Sequence, residues 1–258
     1  MTQTFLITKN RLTLTVSAGF TKSGNGGSWL KVSTGIRGLD EMLKGGLIQN
    51  RVYLVKGGAG SGKTTLAIQF LLEGAKKGEN VVYITLEEPA DEVRENMSML
   101  GLDLDLDTFH IIDASPTGDM GLFSDMFFEK LIPDVQGFKS ALESELRRIN
   151  PTRIAIDPIT MLEIASKNEV EYRREMLHLF RLLKKFNITS LVTTQRIDET
   201  PEDFIVSGVI ELLSYDIKGR PIRGIRIKKM RGSDFDEVVR PYKIKPGGIE
   251  VYHQESIF

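Results

Sequence analysis

The 258-residue chain has no cysteine. Disulfides, thiolate zinc sites and cysteine nucleophiles are therefore excluded. Its three histidines, His110, His178 and His253, are scattered without metal-ligand spacing and receive no role. No apolar run approaches the roughly 18 residues of a membrane-spanning helix. Residues 1–9 lack the basic start and long apolar stretch of a secretory signal. A cytoplasmic protein with no membrane partner is the expectation. Excess charge is missing too: 34 Lys and Arg face 35 Asp and Glu, for a formal net charge of −1. Bulk electrostatics thus argue for neither a nucleic acid nor a membrane surface. Few glutamines and many charges suit a thermophile, though as a weak signal. The length allows one large α/β domain with little left over. There is no internal repeat.

What is present is a phosphate loop. Residues 57–64 read Gly-Gly-Ala-Gly-Ser-Gly-Lys-Thr, the pattern G-x-x-x-x-G-K-[ST] without a misfit. Val52, Tyr53, Leu54 and Val55 ahead of it form a strand-type apolar run. Residues 64–77 behind it have helical spacing, with Leu66, Phe70 and Leu71 apolar and Gly78 placed to end the helix. A strand, a glycine loop and a helix N-terminus cradle phosphate, because backbone N–H groups and the helix dipole both favour negative charge. Lys63 reaches the β- and γ-phosphates, and the Thr64 hydroxyl ligates Mg²⁺. The chain is therefore expected to bind a nucleoside triphosphate.

Strands and helices alternate after the loop. Strands are expected at 81–86, 109–113, 154–156 and 190–194, and helices at 89–101, 136–149 and 170–186. This predicts a parallel sheet between helical layers. From Gly208 the pattern changes to successive strands at 209–215, 222–230 and 242–252, read as antiparallel additions to that sheet. Residues 1–30 read as an extension: Leu12, Leu14 and Val16 alternate with threonines, and 23–28 (Ser-Gly-Asn-Gly-Gly-Ser) form a linker. The main domain is placed at 31–258.

Binding needs only the loop; hydrolysis needs more. Ile154-Ala155-Ile156-Asp157 is an apolar strand ending in a carboxylate, which holds Mg²⁺ through water or is an ordinary strand-end aspartate. Glu87 and Glu88 close the strand at 81–86. At the carboxyl end of a parallel strand they either polarise a water for attack on the γ-phosphate or simply start the next helix. Gln195, after Thr193-Thr194, senses the γ-phosphate or is a polar strand end.

From about residue 32 to 252 the chain resembles the single-domain KaiC-like ATPases of the RecA superfamily. The likeness rests on Ser33-Thr34-Gly35-Ile36-Arg37-Gly38-Leu39-Asp40, the phosphate loop, Glu87-Glu88-Pro89, Asp113-Ala114-Ser115-Pro116 and Asp157. It continues through Thr193-Thr194-Gln195-Arg196 and Lys229-Met230-Arg231-Gly232. The resemblance implies a RecA-like phosphate-loop fold, ATP with Mg²⁺, and ring hexamers with ATP between subunits. It implies a nucleotide site of Gly58, Ala59, Gly60, Ser61, Gly62, Lys63, Thr64 and Thr65, to which Arg223 and Ile244 are added. Thr64 and Asp157 serve the metal. Glu87 and Glu88 are catalytic, with Lys63 and Gln195, while Lys229 and Arg231 reach a neighbouring subunit's nucleotide, where fixed cations offset transition-state charge. Two departures matter. Phe204 and Ile205 stand where the autophosphorylated clock domain has hydroxyls, so autokinase activity is not implied. Gln195 stands where the clock family commonly has glutamate.

Residues 218–231 carry Lys218, Arg220, Arg223, Arg226, Lys228, Lys229 and Arg231. They bind DNA phosphates, line a subunit interface, or protect a wet sheet edge. Two candidate DNA loops lie at 166–174, of mixed charge, and at 197–203, which is acidic and would repel phosphate. Residues 122–132, with Phe123, Phe127 and Phe128, read as a packed helix or a docking patch. The leading expectation is an oligomeric ATPase switching or driving an unknown protein partner. The alternative is a RadA-paralogue-like recombination accessory ATPase on single-stranded DNA. A nucleotide-binding scaffold with little turnover is third.

Overall fold

Five apolar segments bounded by glycine or polar residues form parallel strands in the computed structural model, which describes residues 30–115, 135–164, 166 and 168–258. They are β3 (Val52–Gly57), β4 (Val81–Thr85), β5 (Phe109–Asp113), β6 (Arg153–Asp157) and β7 (Thr189–Thr194). β8 (Gly208–Ile217) continues the parallel set beside β3. Then β9 (Arg220–Met230), β10 (Arg240–Lys245) and β11 (Gly248–Val251) add on antiparallel, giving the order β11-β10-β9-β8-β3-β7-β6-β4-β5. A small ladder of β1 (Lys31–Val32) and β2 (Leu47–Ile48) brackets α1 (Arg37–Met42).

The central strands are buried on both faces, so they read as continuous apolar runs. Their alternation still sorts side chains. Tyr53, Val55, Val81 and Tyr83 join one core with α1 and α2 (Lys63–Ala75). Leu54, Val82, Ile84, Ile154 and Ile156 join the other, against α4 (Val135–Ile149) and α6 (Glu169–Lys185). Arg153 is almost fully buried at the start of β6. It holds Glu79 at 2.8 and 2.9 Å and the carbonyls of Ser33 and Phe70, which locks the approach to α1 onto the sheet.

The mostly parallel sheet with antiparallel C-terminal strands agrees with the sequence reading, with one correction: the strand expected at 209–215, β8, is not an antiparallel addition but runs parallel to β3, and the reversal comes only at the β8–β9 turn. Several boundaries differ. The single strand expected at 242–252 is two, β10 and β11, because Gly247 and Gly248 take φ of 93° and 104° and fold the chain back. The β8–β9 strands run longer than expected, to a two-residue turn at Lys218-Gly219 with φ of 54° and 76°, the mirror-image turn that suits strand twist. The loop expected at 166–174 ends at Asn168, whose side chain caps α6 by accepting from the Glu171 N–H at 2.9 Å. The loop expected at 197–203 ends where α7 (Pro201–Ile205) begins with proline in its first turn. Two further helices are α3 (Ala90–Met99) and α5 (Thr160–Ile164). The N-terminal extension up to residue 29 and the aromatic segment 122–132 lie outside the described residues.

Candidate functional site

Parallel strands put their carboxyl ends on one edge, and ligands of such sheets sit there. Here β3, β4, β6 and β7 bring the phosphate loop, Glu87-Glu88, Asp157 and Gln195 to that edge. They surround a cleft of about 450 Å³ lined by Ala59, Gly60, Gly62, Lys63, Thr64, Thr65, Tyr83, Thr85, Glu87, Glu88, Leu100, Asp157, Pro158, Gln195 and Ile244.

The phosphate loop leaves β3 at Gly57 and enters α2 through Gly62, whose φ of 90° belongs to the left-handed region. A Cβ at Gly62 would also lie 2.7 Å from Ile244 Cδ1. The loop is further held from β10, where the Tyr242 hydroxyl donates to the Ser61 carbonyl at 2.7 Å. At its mouth there is room: a Cβ at Gly58 or Gly60 would meet nothing within 4 Å. Lys63 is buried, and its ammonium donates to the Gly57 and Gly58 carbonyls at 2.9 and 3.1 Å. Burial lowers its pKa, and Asp157 and Glu87 partly oppose that.

Asp157 is the hub of the opposite wall. Its Oδ2 accepts from Thr64 Oγ1 at 2.6 Å and from the Tyr83 hydroxyl at 2.7 Å, and its Oδ1 accepts from Thr193 Oγ1. Burial, together with Asp157, pushes the Tyr83 phenol well above its ordinary value, so it remains a donor. The Gln195 amide donates to Glu87 Oε2 at 3.0 Å. Partial burial raises the Glu88 pKa, and Asp157, Glu87 and Glu92 add to it. The turn bearing both glutamates is anchored by Asp113. Its carboxylate accepts the Ala90 N–H at the start of α3 at 2.7 Å, and the Ser115 N–H and hydroxyl at 2.9 and 2.6 Å. That is the local work of the Asp113-Ala114-Ser115 motif.

The cleft thus gathers Ala59, Gly60, Gly62, Lys63, Thr64, Thr65, Glu87, Glu88, Asp157, Gln195 and Ile244. Gly58 and Ser61 shape the loop from outside the lining. Arg223, Lys229 and Arg231 stand apart from it. Arg223 is exposed on β9, opposite Ser214. Lys229 Nζ donates to the carbonyls of Asp203 and, at 2.9 Å, Val206; Arg231 donates to Phe204 O at 2.8 Å. Sequence reasoning missed Tyr83, Thr85, Leu100 and Pro158 in the lining and Thr193 behind Asp157. A tyrosine within an apolar strand two residues before Thr85 was the one available signal for the first.

A larger groove of about 640 Å³ runs between the start of α1 and the chain after β11. Within it Glu250 accepts from Lys245 at 2.7 Å and from Tyr252 at 2.6 Å. None of the expected site residues lines it.

The donor set suits a magnesium nucleotide: hard hydroxyl and carboxylate oxygens 2.6 Å apart at Thr64 and Asp157, an ammonium, and an open glycine loop. Fold and cleft together define a phosphate-loop protein of RecA type. The profile of the KaiC ATPase family matches residues 32–256. A UPF0273 protein of Thermotoga maritima is 32% identical over 239 residues, which cover 88% of this chain and 97% of the relative. A UPF0273 protein of Pyrococcus horikoshii is 34% identical, over 86% of this chain and 94% of its own. The circadian clock protein KaiC3 of Synechocystis is 30% identical over 83% of this chain but only 44% of its own length. Among solved structures, a KaiC-like protein of Pyrococcus horikoshii has a TM-score of 0.75 at 30% identity, covering 87% of this chain and all of that one. The chain belongs to the KaiC family, as a single-domain KaiC-like ATPase of the RecA superfamily.

Proposed function

We propose that the protein binds ATP with Mg²⁺ in this cleft and hydrolyses it, in a ring-shaped homo-oligomer, a hexamer by family likeness, that acts on a protein partner. The observation that carries this reading is the meeting of Lys63, the Thr64–Asp157 pair, Glu87, Glu88 and Gln195 around one cleft. Lys63 exchanges its loop carbonyls for the β- and γ-phosphates. Thr64 and Asp157 hold Mg²⁺, which neutralises charge on the phosphates when bound. Glu87 and Glu88 orient a water and take its proton as it attacks the γ-phosphate. Gln195, bonded to Glu87, ties the position of that carboxylate to the state of the γ-phosphate end. Lys229 and Arg231 serve a neighbour's site, since both lie outside the cleft of their own subunit.

The basic stretch favours this use over DNA. Arg226 pairs with Glu211, Lys228 with Asp203 and Glu211, and Lys229 and Arg231 hold backbone carbonyls. Clock-type autokinase activity stays outside the proposal, because Phe204 and Ile205 in α7 carry no hydroxyl. Among the described residues no helix is long and apolar enough to cross a membrane, and a cytoplasmic setting is part of the same reading. The test is the double change Glu87→Gln with Glu88→Gln. ATP affinity should stay near wild type while hydrolysis falls about 10²-fold or more. Hydrolysis at the wild-type rate would reduce the pair to helix-start chemistry.

A further inference from the structure

Three hydroxyls converge on Asp157, and they are not equivalent. Thr64 belongs to the phosphate loop and, on the reading above, ligates Mg²⁺ itself, so it cannot be relied on to hold Asp157 as well. Thr193 comes from β7, beside β6. Tyr83 comes from β4, on the other side of β6, where it pairs in register with Ala155. Its ring packs in the core beneath α2, and it is 1% exposed. A phenylalanine would fill the same space without bringing a polar group that must find a partner in the core. The partner it finds is Asp157 Oδ2, at 2.7 Å.

We propose that Tyr83 is a positioning residue for the metal-binding carboxylate. The last torsion of an aspartate is broad and two-fold, so a strand-end carboxylate swivels unless it is held. Tyr83 on Oδ2 and Thr193 on Oδ1 hold one oxygen each, from the two strands that flank β6. That grip does not depend on Thr64. It leaves Oδ2 free to accept from the phosphate-loop side as well, where Thr64 reaches it at 2.6 Å. Hydrogen bonds of this kind behind a metal-holding group are worth about 10–100-fold in metal affinity.

The inference rests on the reading of the cleft as a magnesium–nucleotide site, and the test separates the two. Affinity for a non-hydrolysable ATP analogue is measured by calorimetry on the full chain, with Mg²⁺ and with EDTA, for wild type and Tyr83→Phe. The variant should match wild type in EDTA and lose about tenfold of the Mg²⁺-dependent gain. Titration with Mn²⁺, followed by electron paramagnetic resonance on the analogue-loaded protein, should show metal binding weakened by a similar factor. Thr193→Val, acting on the other oxygen, should reproduce the split without touching Tyr83. Equal losses with and without metal in both variants would mean that the hydroxyls only support the fold, and would overturn the proposal. Unchanged metal dependence in both would do the same. A wild type whose affinity ignores Mg²⁺ would overturn the reading of the cleft, and the role of Tyr83 with it.

Discussion

Glu88 and Lys63 line one cleft, which shifts them in opposite directions. Partial burial and the charges of Asp157, Glu87 and Glu92 hold the Glu88 carboxyl above its ordinary 4.5, while burial lowers Lys63. Both shifts penalise the charged form, as expected of a site shaped to gain its counter-charges from a ligand. A glutamate that acts as a base must be ionised. Its raised value moves the onset of protonation to higher pH, so kcat/KM should fall as pH drops through a value above 4.5. Glu92→Gln removes one of the raising charges from outside the cleft lining and should move that limb back toward 4.5. A pH–rate profile of both proteins is the check, and an acid limb at or below the ordinary value in wild type would refute it. The sign for stability is the reverse of a salt-bridged carboxylate. Ionised Glu88 costs the folded state free energy at neutral pH, and the cost is relieved as pH falls through the raised value.

The strand that carries the phosphate loop is tied to α7 and β9 by a buried ion pair. Lys56, the last residue of β3 before Gly57, is 1% exposed and holds Asp203 of α7, 5% exposed, at 2.9 and 3.0 Å. Lys228 of β9 adds a third contact at 3.2 Å. Burial pushes the Asp203 carboxyl up, but Lys56 and Lys228 together hold it below its ordinary 3.8. That stabilisation is complete above the ordinary value and is lost as pH falls through the lowered one. Lys56→Met leaves the carboxylate buried with its main partner gone. It should cost roughly 3–5 kcal/mol in denaturant unfolding, against a far smaller loss for Arg147→Ala, which breaks an exposed pair with Glu143. Equal small losses would show that Lys228, with the Thr200 hydroxyl at 3.2 Å, satisfies Asp203 without Lys56. None of this was legible in the sequence, because the partners lie 147 residues apart. The same holds for Glu87 with Gln195, 108 apart, and for Tyr83 with Asp157, 74 apart. What was legible was local: the phosphate loop, the doubly buried strands and the carboxylates at their ends. The β10–β11 turn was legible in Pro246-Gly247-Gly248, a turn signal between two alternating runs that was passed over, whereas α7 was missed because it is only five residues long.

At the scale of the whole molecule, the cleft and the Lys229–Arg231 pair do not meet within one chain. The cleft lies at the ends of β3, β4, β6 and β7, whereas Lys229 and Arg231 leave β9, with β8 between it and β3. Within the subunit these two cations are occupied by the carbonyls of residues 203–206, and burial, with the nearby Arg231, lowers the pKa of Lys229. If they complete a neighbour's site, Arg231→Ala should leave the subunit folded, weaken nucleotide-linked assembly and slow hydrolysis by about 10³-fold, the lower end of the range for such arginines. Mixing tests the geometry itself. Subunits with Glu87→Gln and Glu88→Gln have an intact cation pair but no base. Subunits with Lys229→Ala and Arg231→Ala have the base but no cations to lend. Each homo-oligomer should be nearly inactive. In mixed oligomers, an interface that joins the second kind's cleft to the first kind's cations has every group, so activity should partly return in proportion to such interfaces. Recovery is read from ATP turnover after native mass measurement has shown that mixed oligomers form. Mixed oligomers without recovery would mean that Lys229 and Arg231 act only within their own subunit, as anchors of α7, and would return the basic strand to the contest for a nucleic-acid role.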